Sequence, residues 1–200
     1  MMGRALPVTV TVDIRIRLRL DRPAQRQAGL PVHTDSFGDY CKIPLTQGRF
    51  ANVDPEDYLW LSQFRWCCKN SPRSTYAVRN VTVGGKSTRI YMHRLIMKTP
   101  DHLVCDHVNH DGLDNRQGNL RNCTIQQNNA NSRAAEGATS EFKGVAWDSR
   151  RQKWVAYIKK DGKQRNLGYF GDEIEAAQTH DVAARELHGE YAALNFPEHS

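Results

Sequence analysis

The stretch from Val104 to Asn128 constrains this chain more than any other. An apolar run (Leu103, Val104) delivers Asp106 and His107, which is the pattern of a short strand. Asn109, Asp111, Gly112, Asp114 and Asn115 come next. Side chains of this kind bond their own backbone and favour turns, so they predict a loop and not a packed element. Leu120 to Cys123 can return as a second strand. Thr124-Ile125-Gln126-Gln127 then fits a capping box: the Thr hydroxyl accepts from the third helical amide while the Gln side chain reaches back. Asn128 stands in the first turn of the helix so opened. Strand, loop, strand and helix in this order predict that Asn128 folds back toward Asp106 and His107.

That set of side chains has a chemical meaning. Hydrolysis of a phosphodiester needs a base to activate water and a divalent cation to neutralise the phosphate and the leaving oxygen. An Asp carboxylate and an Asn carbonyl are hard oxygen ligands of the kind that suit Mg²⁺. A histidine with an unperturbed pKa near ~6.5 can act as a general base at neutral pH. Asp106-His107 taken alone would be turn chemistry beside a structural histidine, the commoner case for a short motif. The ordered set, with a capped helix presenting its last member, favours the chemical reading.

The arrangement resembles the HNH (ββα-metal) endonuclease family, and its spacing is similar to the phage and intron-homing branch, over about Tyr40 to Arg133. The branch's preceding His-Arg-Leu segment is present as His93-Arg94-Leu95-Ile96. The resemblance implies His107 as general base, Asp106 and Asn128 as ligands of Mg²⁺ (or Mn²⁺), and Asn119 as the brace of the loop. His93 is a further candidate: it could approach the scissile phosphate or simply pack, and the sequence leaves both open. Some HNH relatives carry zinc on paired CxxC knuckles. Cys41, Cys67, Cys68, Cys105 and Cys123 form no such pair, so no structural zinc is expected.

Composition bounds the partners. The net charge is +6 with a pI of about 9.2, which favours a polyanion. No apolar run reaches the ~20 residues that cross a bilayer, so no membrane partner is expected. An odd cysteine count argues against a disulfide framework and suits a reducing, cytoplasmic setting, of phage or bacterial origin by the resemblance. Thr9 to Leu20 alternates like a half-buried strand, and Pro23 to Gly38 reads as linker. Residues 1–38 are expected to be a disordered basic extension in preference to a DNA-contacting arm. From Cys41 to Met92 a mixed scaffold is predicted. It has short strands around Gln47-Gly48 and a helix from an Asp54 N-cap to about Phe64 that buries Tyr58, Leu59 and Leu61. A hairpin about Gly84-Gly85 and a short helix stopped before Pro100 complete it. Trp60, Trp66 and Phe64 could stack on bases, but aromatics at such spacing are expected in the core.

Beyond the Ala-, Gly-, Thr- and Ser-rich segment from Arg133 to Ser140 the character changes. Lys143–Trp147, Lys153–Ile158 and Lys163–Phe170 predict three strands, the last two joined at Asp161-Gly162. Asp172 opens a helix that Gly189 closes, with Ala176, Ala177, His180, Ala183, Ala184 and Leu187 on its inner stripe. Residues 143–165 hold eight Lys and Arg against two acids, while 172–198 hold seven acids against one Arg. The strands are basic and the helical side acidic, a dipole that turns one sheet face toward phosphate.

The matching pieces Lys143-Gly144-Val145, Lys153-Trp154, Ala156-Tyr157-Ile158, Leu167-Gly168-Tyr169-Phe170, Glu175-Ala176-Ala177, Asp181, Ala183-Ala184 and Leu194-Asn195-Phe196-Pro197 resemble the Apetala/ethylene-response-factor (ERF) DNA-binding domain, over roughly 141–198. The resemblance implies outward-facing contacts to double-stranded DNA from Trp147, Arg150, Arg151, Lys153, Tyr157, Lys159, Arg165 and Asn166. Ala146 and Asn166 stand where the plant proteins carry Arg and Trp, so the plant target sequence does not transfer. The expectation is therefore an α+β chain: an HNH nuclease domain over 39–133 with its motif at 103–133, then a three-stranded antiparallel sheet packed on one helix. A metal-dependent DNA endonuclease of the homing type is the function implied, with its oligomeric state left open by the sequence and a monomer favoured; a non-catalytic DNA-binding or regulatory protein on a relic fold is the alternative.

Overall fold

Short antiparallel hairpins build most of the molecule, because Gly- and Asp-rich turns separate its apolar runs every few residues. The computed structural model describes residues 29–197, and the alternating Thr9–Leu20 segment lies outside them. The linker expected up to Gly38 holds strand β1 (Val32–Asp35), which pairs antiparallel with β2 (Gly38–Pro44), Val32 opposite Cys41. All four β1 side chains are exposed, so no alternation marked the strand in the sequence. β3 (Phe50–Val53) completes the sheet in the order β1-β2-β3.

Helix α1 spans Pro55–Ser62, with Pro at its first position and Glu56 and Asp57 in its first turn. Asp54 precedes it, but its side chain makes no capping bond; the carboxylate accepts the Gln117 N–H at 2.7 Å instead. The helix stops short of Phe64 and buries Asp57, Trp60 and Leu61, whereas Tyr58 and Leu59 are only half-buried. Asp57 tolerates burial because the Trp60 indole N–H (2.8 Å) and Gln117 Nε2 (3.0 Å) donate to it. β4 (Cys67–Ser71) has no alternating pattern and was not foreseen. It pairs with β5 (Ser74–Val83), which pairs with β6 (Lys86–Tyr91) across the expected Gly84-Gly85 turn. Helix α2 (Met92–Ile96) follows directly.

β7 (Val104–His107) and β8 (Leu120–Cys123) form a two-stranded sheet, and α3 (Ile125–Ala130) follows β8. The capping box is complete: Thr124 Oγ1 accepts from Gln127 N at 3.2 Å, and Gln127 Oε1 accepts from Thr124 N at 2.8 Å. The C-terminal sheet runs β9 (Val145–Asp148), β10 (Lys153–Lys160), β11 (Lys163–Phe170), with α4 (Glu173–His188) across one face. Val145, Ala156, Ala176 and Ala177 pack with Phe142, Trp154, Leu167 and Phe170, and Ile158, Ala183 and Ala184 with Leu187 and Leu194. Alanines on the inner stripe let the helix lie close to the sheet.

By contacts the chain divides into two compact units. The first holds the described residues to Thr99 together with His107–Asn122; the second holds Pro100–Asp106 and the described residues from Cys123 onward. Helix α3, counted with the central domain from sequence, thus shares a unit with the C-terminal sheet. No helix among the described residues is long and apolar enough to cross a membrane.

Candidate active site

Asp106 and His107 are consecutive on β7, and both are buried, at 7% and 6% exposure. Successive side chains on a strand point to opposite faces, so each has its own surroundings. His107 belongs to the first unit, where an aromatic cluster holds it. Its ring centroid lies 4.9 Å from that of His93 at 76°, an edge-on contact, and 5.9 Å from Tyr76. His93, at the start of α2, also meets Tyr76 at 5.5 Å and Tyr91 at 5.4 Å. Burial, helped by the neighbouring His107 and Arg94, holds the His93 pKa down to about 3. His93 is therefore a packed, neutral imidazole at ordinary pH.

The loop after β7 is tied by its own polar side chains. Asn119 Oδ1 accepts from Asn109 N at 2.9 Å, its Nδ2 donates to the Asp114 carbonyl at 2.8 Å, and its backbone carbonyl takes the Val108 N–H. Asn119 thus spans both ends of the loop. A second tie, from the loop to Asp35, comes from a residue that nothing local in the sequence marks. Arg116 is buried and makes a two-pronged bond to Asp114, Nε to Oδ1 and Nη2 to Oδ2, each 2.8 Å. Its Nη1 reaches Asp35 at 2.8 Å, and the rings of Phe37 and Tyr40 flank the guanidinium. Asp-Asn-Arg looks like turn chemistry in sequence, and Asp35 lies 81 residues away, so nothing local marks the cluster.

In the second unit Asp106 meets another unforeseen residue. Asn131 Nδ2 donates to both carboxylate oxygens, at 3.0 and 3.2 Å, and Asn131 is itself 4% exposed. Asn128 is half-buried on α3 three residues earlier, a spacing that sets two residues on one helical side. The donor atoms offered by Asp106 and Asn128 are hard oxygens, the chemistry that Mg²⁺ takes, and an amide fixing the plane of a ligating carboxylate is what such sites use. The residues present fit a divalent cation. A separate acidic cluster, Asp54, Glu56 and Asp57, is engaged by Gln117, whose backbone N–H and Nε2 donate to all three.

The register of the C-terminal sheet sorts the eight proposed contacts. Ala156 and Ile158 face the helix, so Lys153, Tyr157 and Lys159 fall on the open face, with Asn166 opposite Tyr157. Arg150 and Arg151 occupy the exposed β9–β10 turn; Arg151 pairs with Asp148 at 2.8 Å and lies over the Tyr169 ring at 4.5 Å. Trp147 and Arg165 depart from the outward assignment. Trp147 pairs with Trp154, and Arg165 with Ile158, which puts both in the rows of the helix side, although both remain exposed. A strand alternates by position, and only pairing decides which row is which.

The other end of the module is held by buried polar groups. Asp181 on α4 accepts from Asn195 N and Nδ2, each at 3.0 Å, and from Phe196 N at 2.8 Å. Asn195 in turn accepts the Lys143 N–H at 2.7 Å and donates to the Lys143 carbonyl at 3.1 Å. His180 packs against Gly144, and burial lowers its pKa.

The model of the AP2 domain matches residues 140–190. A protein of Acanthamoeba polyphaga mimivirus described as an uncharacterized HNH endonuclease is 31% identical over 163 residues, covering 80% of this chain and 82% of its own length. Protein 3.8 of Escherichia phage T7 is 30% identical over 93 residues, 46% of this chain and 76% of the phage protein. The ethylene-responsive transcription factor WRI1 of Arabidopsis thaliana is 39% identical over 59 residues, 30% of this chain and 13% of the plant protein. No solved structure gives a significant match. An Asp-His strand closed by an Asn-rich loop and a capped helix, with this similarity over four fifths of its length, makes the chain a member of the HNH endonuclease family that carries an AP2 domain at residues 140–190.

Proposed function

We propose that this protein is a metal-dependent DNA endonuclease of the homing type, that His107 is its general base, and that the C-terminal sheet positions the duplex. The observation that carries the reading is a buried carboxylate and a buried imidazole adjacent on β7, in a member of the HNH endonuclease family. His107 accepts the proton of the attacking water as the new P–O bond forms and the bond to the 3′ oxygen breaks. The aromatic cluster fixes the His107 ring in one orientation, which a positioned base requires. His93, with a pKa near 3, holds almost no proton at neutral pH and acts by bracing that ring. Asn119 keeps the loop closed. Asp106 and Asn128 would hold Mg²⁺ or Mn²⁺, which supplies charge neutralisation at the phosphate and at the departing oxygen. Lys153, Lys159, Arg150 and Arg151 meet phosphates, and Tyr157 and Asn166 face base edges in a major groove wide enough for strands. Trp147 and Arg165 contact the duplex only from the margin of the sheet.

The test is nicking of supercoiled plasmid with Mg²⁺, Mn²⁺ or EDTA. Metal-dependent nicking is expected, with His107→Ala slower by about 10²–10⁴-fold and unchanged in a gel shift on duplex DNA. Equal nicking by variant and parent would remove His107 from the mechanism. A gel shift by the parent with no cleavage under either metal would favour the non-catalytic DNA-binding reading.

A further inference from the structure

The AP2 domain of this chain does more than offer a face to DNA. Its first strand is entered through Lys143, whose backbone N–H and carbonyl are both bound by Asn195 and, through Asn195, by Asp181 of α4. The Lys143 side chain runs the other way. Its Nζ donates to the carbonyl of Ala130, the last residue of α3, and the Ala193 N–H donates to that same carbonyl at 3.2 Å. An ammonium on the final carbonyls of a helix meets both an unsatisfied acceptor and the negative end of the helix dipole. The next residue is Asn131, the one whose amide lies on both oxygens of Asp106. A continuous set of contacts therefore runs from α4 through Asn195 and Lys143 to the end of α3, and from there to the Asp106 carboxylate. Every member lies in the second unit.

We propose that Asn131 is a positioning residue for the metal-ligating carboxylate of Asp106, and that Lys143 of the AP2 domain holds Asn131 in place by fixing the C-terminal end of α3. The DNA-binding domain is on this account a structural part of the metal site, not a tethered accessory. The inference rests on the metal role read for Asp106 above. It extends that reading to two residues that touch neither metal nor substrate.

The experiment is titration of the full-length protein with Mn²⁺ in the absence of DNA, by calorimetry, with a gel shift on duplex DNA run on the same preparations. Asp106→Ala sets the scale for a lost ligand. Asn131→Leu keeps the volume and removes the amide, and should weaken Mn²⁺ binding roughly 10–100-fold, the usual effect of losing a partner that orients a ligand. Lys143→Met should weaken it by about tenfold, the lower end of that range, and Lys143→Arg, which keeps a cationic donor, should restore it. Duplex affinity should stay at the parental value in the Lys143 variants, which also shows that the AP2 domain is folded in them. If Lys143→Met instead loses duplex binding, Lys143 is a structural residue of the domain and its part in the inference is overturned. If Asp106→Ala weakens Mn²⁺ but Asn131→Leu and Lys143→Met bind it as the parent does, the inference fails and the metal reading stands. If Asp106→Ala also binds as the parent does, both fall together.

Discussion

His93 and His107 are packed ring against ring, yet the mechanism proposed above asks opposite things of them. In it His107 exchanges a proton, and His93 never holds one. Burial settles the second: with a folded pKa near 3 against an ordinary 6.5, His93 stays neutral where the unfolded chain would be protonated. Between those values the unfolded state binds the extra proton, so stability falls as pH drops from about 6.5 toward 3, and above 6.5 the group contributes no slope. Urea midpoints measured across this range should show that acid limb, and His93→Phe should flatten it by close to one proton. An unchanged limb would mean that His93 is solvated in solution. Arg116 is the other residue on which the loop depends. Arg116→Ala takes both guanidinium bonds from the buried Asp114 carboxylate, leaving it Asn109 Nδ2 and the backbone N–H of residue 116 at 3.4 Å, and should cost about 3–5 kcal/mol by chemical denaturation, the usual penalty for breaking a buried pair. A loss under about 1 kcal/mol would instead be that of an exposed pair.

At the scale of elements, signals confined to one turn were legible and signals that need a partner were not. Thr124 and Gln127 satisfy each other within four residues, and Asp172 accepts from Glu175 N at 2.9 Å, so both helix starts could be read from the chain. Asp54 carries the same N-cap signal but answers to Gln117, which sits 63 residues away. β1 carries no signal at all, because an exposed strand beside one neighbour has no buried face to write a pattern. Gly144 shows how tightly two elements of the AP2 domain meet. Its φ is +73°, and a Cβ there would stand 2.0 Å from the His180 ring and 2.6 Å from the Tyr157 carbonyl. Gly144→Ala should therefore destabilise the domain by about 2 kcal/mol or more, from left-handed strain plus overpacking. Thermal melts followed by duplex binding measure this, and a parental melting temperature would show that the contact relaxes freely.

Over the whole molecule, charge is arranged more informatively than its net value of +6 suggests. The basic strands and the acidic α4 belong to one small domain, so its attraction for phosphate is directional. Lys153→Ala or Lys159→Ala, each on the open face, should reduce the slope of log K against log salt by about 1 while weakening binding alike on different sequences. Arg165→Ala, in the helix-side row, should change the slope less. An equal effect at Arg165 would mean that the duplex wraps the edge of the sheet. The amino-acid sequence by itself determined the Gly84-Gly85 and Asp161-Gly162 turns and the Thr124 and Asp172 caps, since these are settled by neighbours along the chain. Tertiary structure alone decided which strand row faces outward, that His93 is kept neutral, and that Arg116, Asn131 and Lys143 bind where they do. Those outcomes depend on partners dozens of residues away or on exclusion of water, and neither leaves a mark in the local sequence.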